Sequence, residues 1–509
     1  MKNYSIYLLT ILAINSILFT VIIFSVPGFI SDDYYIFTTI KENILYPISI
    51  NSSNSCFLFQ RPVTHFLFWT NIVAGFSPFC MKFFSLMIHL VLIISLFSLF
   101  REISSMFKKS LNIFWLALFV SLFSLSDVST DWIVWLSQRN ELLMMLFLIL
   151  SLKFYIRFTD DYKLTNYIVF LLFYLLSVFS KQTSMNLPLI FLLLHMWGYG
   201  RFRLKSIKYF FAPLLVMIVI LILNIETINS ETKGLFYTYL WKKPFAISGT
   251  ILITTFPYLG NKIYDYFMGN YLLALVLLIF FIGISIALIT KYRSKSRNVV
   301  YLGLIVLVSF FPLIGQSIDD RNRSIQVLLF TILLFIILMQ GYCKKYLLIV
   351  YLSFYLLLNI INAFYKLGNY AEKVKADYKV VSEYDEFIQT HNNNNSIIAA
   401  NPIFDMIDYI YYYYKNNEFG KYNLNATPII AQGNYDIEIQ SENISVLSKP
   451  NSIVGFIDLD YNSGFKITNY EQGDKRSFKK ITITAPDTIS LKNKNIFYYK
   501  NGEWMLYKE

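Results

Sequence analysis

Two adjacent carboxylates, Asp32 and Asp33, lie in FSVPGFISDDYYIF, directly after a long apolar run. Side by side at a membrane surface such groups repel. One of the pair then titrates high unless a cation or hydrogen bonds compensate, and a carboxylate in that state suits a general base. The plainer alternative is a loop in which Asp32 caps the following segment. Other short stretches near the ends of apolar runs are also rich in ionisable groups. QRPVTHF carries Arg61 and His65, and SDVSTDWIVWLSQRNELL carries Asp127, Asp131, Arg139 and Glu141. FSKQTSMNLP carries Lys181 and Gln182, and GQSIDDRNRS carries Asp319, Asp320, Arg321 and Arg323. Charge at the edge of lipid is costly and normally lines a cavity or a substrate path. Arginine presents a planar, always-charged fork, which makes Arg139, Arg321 and Arg323 natural partners for an anionic lipid headgroup. Binding of ordinary phospholipid, or pairing with neighbouring acids, is the competing use of the same residues.

The elements that must hold these residues are membrane helices. The chain has 509 residues, of which 56% are apolar and 15% charged, a composition that excludes an ordinary soluble protein. About eleven apolar runs are long enough to cross a bilayer. They fall near 4–26, 79–100, 111–126, 139–158, 164–180, 184–199, 208–225, 271–290, 298–316, 324–341 and 345–365. No small-residue cleavage site follows the first run, so it reads as a retained helix with Lys2 in the cytoplasm. Basic clusters then recur where alternation predicts cytoplasm: Arg101 to Lys109, Lys153 to Lys163, Arg201 to Lys208, Lys291 to Arg297, and Lys344 with Lys345. FAISGTILITTFPYLG from Phe245 would break this parity if it crossed, so it is expected to lie on the outer face as a re-entrant or surface helix, as is the segment 62–76. Asp32 and Asp33 would then face outward. The net charge of +12 lies largely in short loops and does not call for nucleic acid. Three cysteines provide no disulfide framework, although Cys56 and Cys80 would share a compartment.

From residue 366 the composition shifts towards Asn, Lys, Tyr and acids. The chain therefore divides into a transmembrane domain over 1–365 and a C-terminal α/β domain over 366–509, outside the cytoplasm after an odd number of crossings. SIIAAN, PIFDMIDYIYYYY and TPIIAQ read as strand, helix and strand. SIVGFIDLDY and KKITITAP alternate like strands, and NIFYYKNGEWMLYK places Asn501 and Gly502 where a tight hairpin turn would want them. The tyrosine run at 409 and 411–414 could stack on sugars, but a core-facing helix accounts for it more simply.

Four blocks in order resemble the protein O-mannosyltransferase-like enzymes. RPVTHFLFWTNIVAGFSPFCMKFFSLMIHLVLIISLFSLF is similar to a segment in which Arg-Pro precedes a surface helix, a Gly-x-x-Pro turn and a helix bearing a histidine, here Arg61, Pro62, Gly75, Pro78 and His89. DWIVWLSQRNELLMMLFLILSLKFYIRF resembles their block of an acid and Val-Trp before Arg-x-x-Leu-Leu, through Asp131, Val134, Trp135, Arg139, Leu142 and Leu143. FLLFYLLSVFSKQTSMNLPLIFLLL resembles a Ser-Lys-Glu block, with Gln182 standing where relatives have glutamate. FISDDYYI takes the place of the acidic motif in the first loop. The resemblance covers roughly residues 1–340 and implies a GT-C fold, a polytopic α-helical membrane glycosyltransferase that takes its sugar from a polyprenyl phosphate.

It further implies Asp32 as catalytic base with Asp33 second. Arg61, His89, Asp131, Arg139, Lys181, Arg321 and Arg323 would bind the donor phosphate or substrate. Single displacement at the anomeric carbon would invert it, with the basic groups stabilising the departing phosphate. No cofactor or metal is expected. The partners would be the lipid-linked sugar, undecaprenyl phosphate glucose in a Gram-negative host, and a hydroxyl of a surface glycan such as O-antigen lipopolysaccharide. The setting would be the inner membrane with the C-terminal domain in the periplasm. Length and outer tail are also similar to serotype-converting O-antigen glucosyltransferases. The competing readings are an O-antigen polymerase or ligase, which would carry its catalytic residues in a large central loop, and a flippase or transporter, which would show two similar halves.

Overall fold

A computed structural model describes residues 2–26, 28–30, 33, 61–106, 112–181, 183–184, 187–191, 209–223, 253–259, 323–340, 345–391, 396–399, 424–426, 429–432, 435–440, 443–449, 453–456, 466–472, 478–485, 491, 495–500 and 503–507. The chain divides into two compact units. One comprises Met1–Pro27 and Ser55–Gly368, the other Gly28–Asn54 and Asn369–Glu509.

The first unit is helical. Its described helices are α1 (Lys2–Ser25), α2 (Pro62–Val73), α3 (Pro78–Met106), α4 (Ile113–Ser124), α5 (Asp127–Val134), α6 (Arg139–Asp161), α7 (Leu164–Ser180), α8 (Phe211–Leu223) and α9 (Ser324–Gln340), together with the first part of α10 (Lys345–His391). Local chemistry sets several boundaries. Pro62 opens α2, where its missing N–H costs nothing. Gly75, at φ +69°, supplies the left-handed residue that ends the α2 turn before Pro78 opens α3. The Asn112 side chain caps α4 by accepting from the Phe114 N–H at 3.1 Å.

The protein is a candidate multi-pass membrane protein by helix length and hydropathy. Among the described residues four helical stretches are long and apolar enough to cross: Tyr4–Ser25, Pro78–Ser105, Leu136–Asp161 and Lys345–Phe387. A fifth arises if α4 and α5, which meet at a 53° bend, count as one span. Leu164–Ser180 and Ser324–Met339 are shorter apolar helices. The runs expected at 271–290 and 298–316, most of 184–199, and the PIFDMIDYIYYYY helix lie outside the described residues. Exposed apolar side chains follow a helical period, as a lipid-facing stripe requires. On α10 they are Leu347, Val350, Phe354, Leu357, Ile361 and Phe364, opposite the buried Leu348, Leu352 and Tyr355. Cys80 is a free, exposed thiol.

One expectation is corrected. DVSTDWIV is not an outer loop but the helix α5, every residue of which is buried. The apolar Val128, Trp132 and Ile133 bury it, while Asp127 and Asp131, four residues apart on one face, find cationic partners inside. The segment beginning at Pro62 is the helix α2, one face of which packs into the unit: Thr64, His65, Phe68, Asn71 and Ile72 are buried and Thr64 Oγ1 donates to the Ser180 carbonyl at 3.2 Å. α10 runs unbroken for 47 residues, and the two compact units divide within it, between Gly368 and Asn369.

The second unit packs strands with the C-terminal part of α10. Its sheets have the orders β10-β9-β1-β2, β3-β6 and β4-β5-β8-β7. The strands are β1 (Ser396–Ile398), β2 (Leu424–Ala426), β3 (Ile429–Gln432), β4 (Tyr435–Gln440), β5 (Asn443–Ser448), β6 (Ile453–Phe456), β7 (Lys466–Gln472), β8 (Phe478–Thr484), β9 (Asn495–Lys500) and β10 (Glu503–Leu506). β9 and β10 pair antiparallel with Lys500 opposite Glu503, the hairpin partners that the sequence leads one to expect; Asn501 and Gly502 lie outside the described residues. β1 pairs in parallel with both β2 and β9. Alternate residues such as Ile444, Val446, Ile481 and Ile483 form the core. Tyr384 of α10 packs on Trp504 with ring centroids 4.6 Å apart, and Trp504 Nε1 donates to the Val380 carbonyl at 3.2 Å. At the surface Lys449 and Lys500 hydrogen-bond the Asp436 carboxylate and hold its pKa below the usual carboxylate range.

Gly28 belongs to this unit and meets α10. A Cβ there would stand 3.1 Å from Val374 Cγ1 and 3.2 Å from Tyr378 Cε2. Gly28→Val is therefore expected to destabilise the unit by about 1–3 kcal/mol through overpacking. Thermal unfolding against the parent protein, with Gly75→Ala as a backbone-strain control away from this contact, measures it.

Candidate functional site

The helical unit buries an unusual number of charges among apolar side chains. Five cations, Lys82, Arg139, Lys181, Arg323 and Lys366, are buried there with three carboxylates, Asp127, Asp131 and Glu141. Helices place them by simple spacing. Asp127 and Asp131 project from one face of α5, Arg139 and Glu141 from the first turn of α6, and Lys181 from the C-cap of α7. Arg323 directly precedes α9. Asn359, Asn362 and Lys366 form a polar line along α10.

Asp127 is the hub. Its Oδ2 pairs with Arg323 Nη2, accepts from Asn362 Nδ2 at 2.7 Å and lies 3.2 Å from Lys366 Nζ. The Asp127 N–H donates to Asn359 Oδ1 at 3.2 Å. Lys366 Nζ reaches Asp131 Oδ2 at 2.7 Å, so one ammonium bridges both carboxylates of α5. Arg323 Nη1 also donates to the Ile253 carbonyl at 3.1 Å. Beside this network Trp132 Nε1 donates to Ser324 Oγ at 3.3 Å. Charged groups at this depth are stable only when paired and hydrogen-bonded in this way.

A second cluster surrounds the start of α6. Arg139 Nε donates to Ser85 Oγ at 2.9 Å and Nη2 to the Met81 carbonyl at 2.6 Å. Its guanidinium carbon stands 4.8 Å from the centroid of the Phe68 ring, a cation–π contact that draws α2 towards α6. Lys181 Nζ pairs with Glu141 Oε1. Lys82 Nζ donates to the Val26 carbonyl at 2.7 Å, tying α3 to the end of α1.

The unit thus brings Asp131 and Arg323 into one network, and Arg139 and Lys181 to the ends of neighbouring helices. His89 is buried on α3 against α1 and the Trp132 ring of α5. Its Nε2 is 3.3 Å from Asn15 Oδ1, and its ring meets Phe19 edge-on at 5.1 Å and Trp132 at 6.3 Å. Arg61 is half-buried as the N-cap of α2. Asp33 belongs to the other unit and is 2% exposed. Its Oδ2 accepts from the Ile30 N–H at 3.1 Å, and its own N–H donates to the Ile30 carbonyl at 3.0 Å, so Asp33 closes a turn on itself. Asp32, Gln182 and Arg321 lie outside the described residues.

No family model and no curated protein matches the chain.

Sequence reasoning missed Lys366, Lys82, Asn15, Asn359 and Asn362. The signal for three of them was present: in YLLLNIINAFYKLG, Asn359, Asn362 and Lys366 recur at helical spacing within an apolar run, which marks a polar face aimed at a partner. Among the described residues no group of three or more His, Cys, Asp or Glu side chains converges as a metal site.

Proposed function

We propose that the protein is an inverting glycosyltransferase that moves a hexose from a polyprenyl phosphate to a hydroxyl of a surface glycan, on the membrane face opposite the cytoplasm. The observation that carries this reading is the excess of buried cations in the helical unit. Five stand against three carboxylates among the described residues, within helices otherwise suited to lipid. Such a field favours an anion brought in by an apolar tail, which is the form of a polyprenyl phosphate. The ion pairs divide the labour. Arg323 with Asp127, and Lys181 with Glu141, fix the helices, and the net positive charge comes from the buried cations in excess of the carboxylates. Arg139, held by Ser85 and the Met81 carbonyl, presents a guanidinium at a helix start, where the helix dipole adds to its attraction for phosphate.

In the reaction an acceptor hydroxyl gives its proton to a carboxylate of the first loop as its oxygen attacks the anomeric carbon, and the C–O bond to phosphate breaks. The leaving phosphomonoester gains a negative charge, which the cations offset. Glucose on undecaprenyl phosphate and O-antigen as acceptor are the donor and acceptor we favour.

Purified full-length protein in nanodiscs, given undecaprenyl phosphate glucose and lipopolysaccharide, is expected to yield glycan carrying a new glucose of inverted anomeric configuration. Movement of the intact lipid between leaflets with no glucose transferred would instead identify a flippase and overturn the proposal.

A further inference from the structure

The start of α6 carries buried oxygen atoms in need of donors. Glu141 is 1% exposed. Its Oε1 takes Lys181, whereas Oε2 has no hydrogen-bond partner among the described residues. Gln138 Oε1 and Asn140 Oδ1, on residues 8% and 5% exposed, are in the same condition. Gln138 is the N-cap of α6, yet its side chain makes no capping hydrogen bond. Gln138 and Glu141 are three residues apart and share one helix face. Buried acceptors are costly to leave unmatched, so their concentration on one turn points to a ligand that brings hydroxyls. A helix N-terminus alone would suit an anion, but a carboxylate oxygen and two amide oxygens repel one. Glu141 weighs most, because both atoms of its head group are oxygens and turning it cannot create a donor.

We infer that the first turn of α6, through Gln138, Asn140 and Glu141, binds the hydroxyl groups of a hexopyranosyl ring, the sugar of the lipid-linked donor. This rests on the glycosyltransferase reading and assigns the sugar part of its site. Arg139, between these residues in sequence, then stands next to the sugar subsite, where the sugar–phosphate bond must lie.

The test compares two probes in nanodiscs, undecaprenyl phosphate glucose and undecaprenyl phosphate without sugar. Glu141→Gln keeps an oxygen for Lys181 and turns the Oε2 position into a donor at nearly constant volume. Gln138→Met and Asn140→Leu remove acceptors with little change in size. Each variant is expected to lower the preference for the sugar-bearing lipid over the bare lipid about tenfold, the scale expected when a buried polar partner is mismatched. Melting temperature is measured alongside, and the preference ratio is read on the folded fraction. A ratio unchanged in all three variants overturns the subsite and leaves the glycosyltransferase reading standing. If the ratio in the parent protein is one, the subsite is likewise overturned. Failure of the parent protein to bind either lipid overturns both. A drop confined to binding of free acceptor glycan reassigns the turn to the acceptor and overturns the donor assignment.

Discussion

Asp127→Ala is expected to cost the helical unit about 3–5 kcal/mol, enough to leave most of the protein misfolded in detergent. The cause is the company Asp127 keeps. Its side chain and that of Arg323 are wholly buried, and Lys366 and Asn362 converge on the same oxygen. Truncation removes the carboxylate that this guanidinium and this ammonium share in an apolar interior. Asp127→Asn retains an acceptor for Asn362 and is expected to fall between parent and alanine variant. The informative comparison is Asp127→Leu combined with Arg323→Met. Replacing both partners by apolar groups removes the uncompensated charge, so the double variant is expected to be more stable than Asp127→Leu alone. Thermal unfolding followed by tryptophan fluorescence measures the series, and strict additivity of the two single changes would show that the pair is not coupled.

Asp32→Asn is expected to lower kcat about 10²–10⁴-fold while leaving donor affinity intact, the usual scale for loss of a general base. Asp33→Asn is expected to do far less. The Asp33 carboxylate receives the Ile30 N–H, and an asparagine oxygen can receive the same bond, so its place in the turn survives the change. Asp33→Ala removes that acceptor and is expected to cost about 1 kcal/mol of stability. Paired turnover and binding measurements on the three variants separate proton transfer from loop structure. A larger loss of kcat in Asp33→Asn than in Asp32→Asn would exchange the two roles.

The legible parts of the fold are those with a strong period or a distinctive turn. The long apolar runs that became α1, α3, α6 and the first half of α10 could be read from length alone, and the β9–β10 hairpin from Asn-Gly between alternating strands. The strands β4 and β5 were passed over although Ile437, Ile439, Ile444 and Val446 alternate as strands should. α5 misled for a different reason. DVSTDWIV is polar enough to resemble a loop, and inside the unit its two aspartates are met by Arg323 and Lys366. Those partners lie 196 and 235 residues further along, beyond the reach of any local pattern. The candidate site shows the same division. Its ionisable residues could be chosen from the sequence, but not which cation would answer which acid.

Those separations also bear on how the protein is made. When α5 leaves the ribosome, neither the arginine nor the lysine that neutralises it has been synthesised. The early helices are therefore made before these two partners exist, and the ion pairs of α5 with Arg323 and Lys366 form only once the later helices arrive. Completion of this network is thereby tied to the synthesis of α10: a nascent chain stopped before Lys366 holds Arg323 but lacks the ammonium that bridges Asp127 and Asp131.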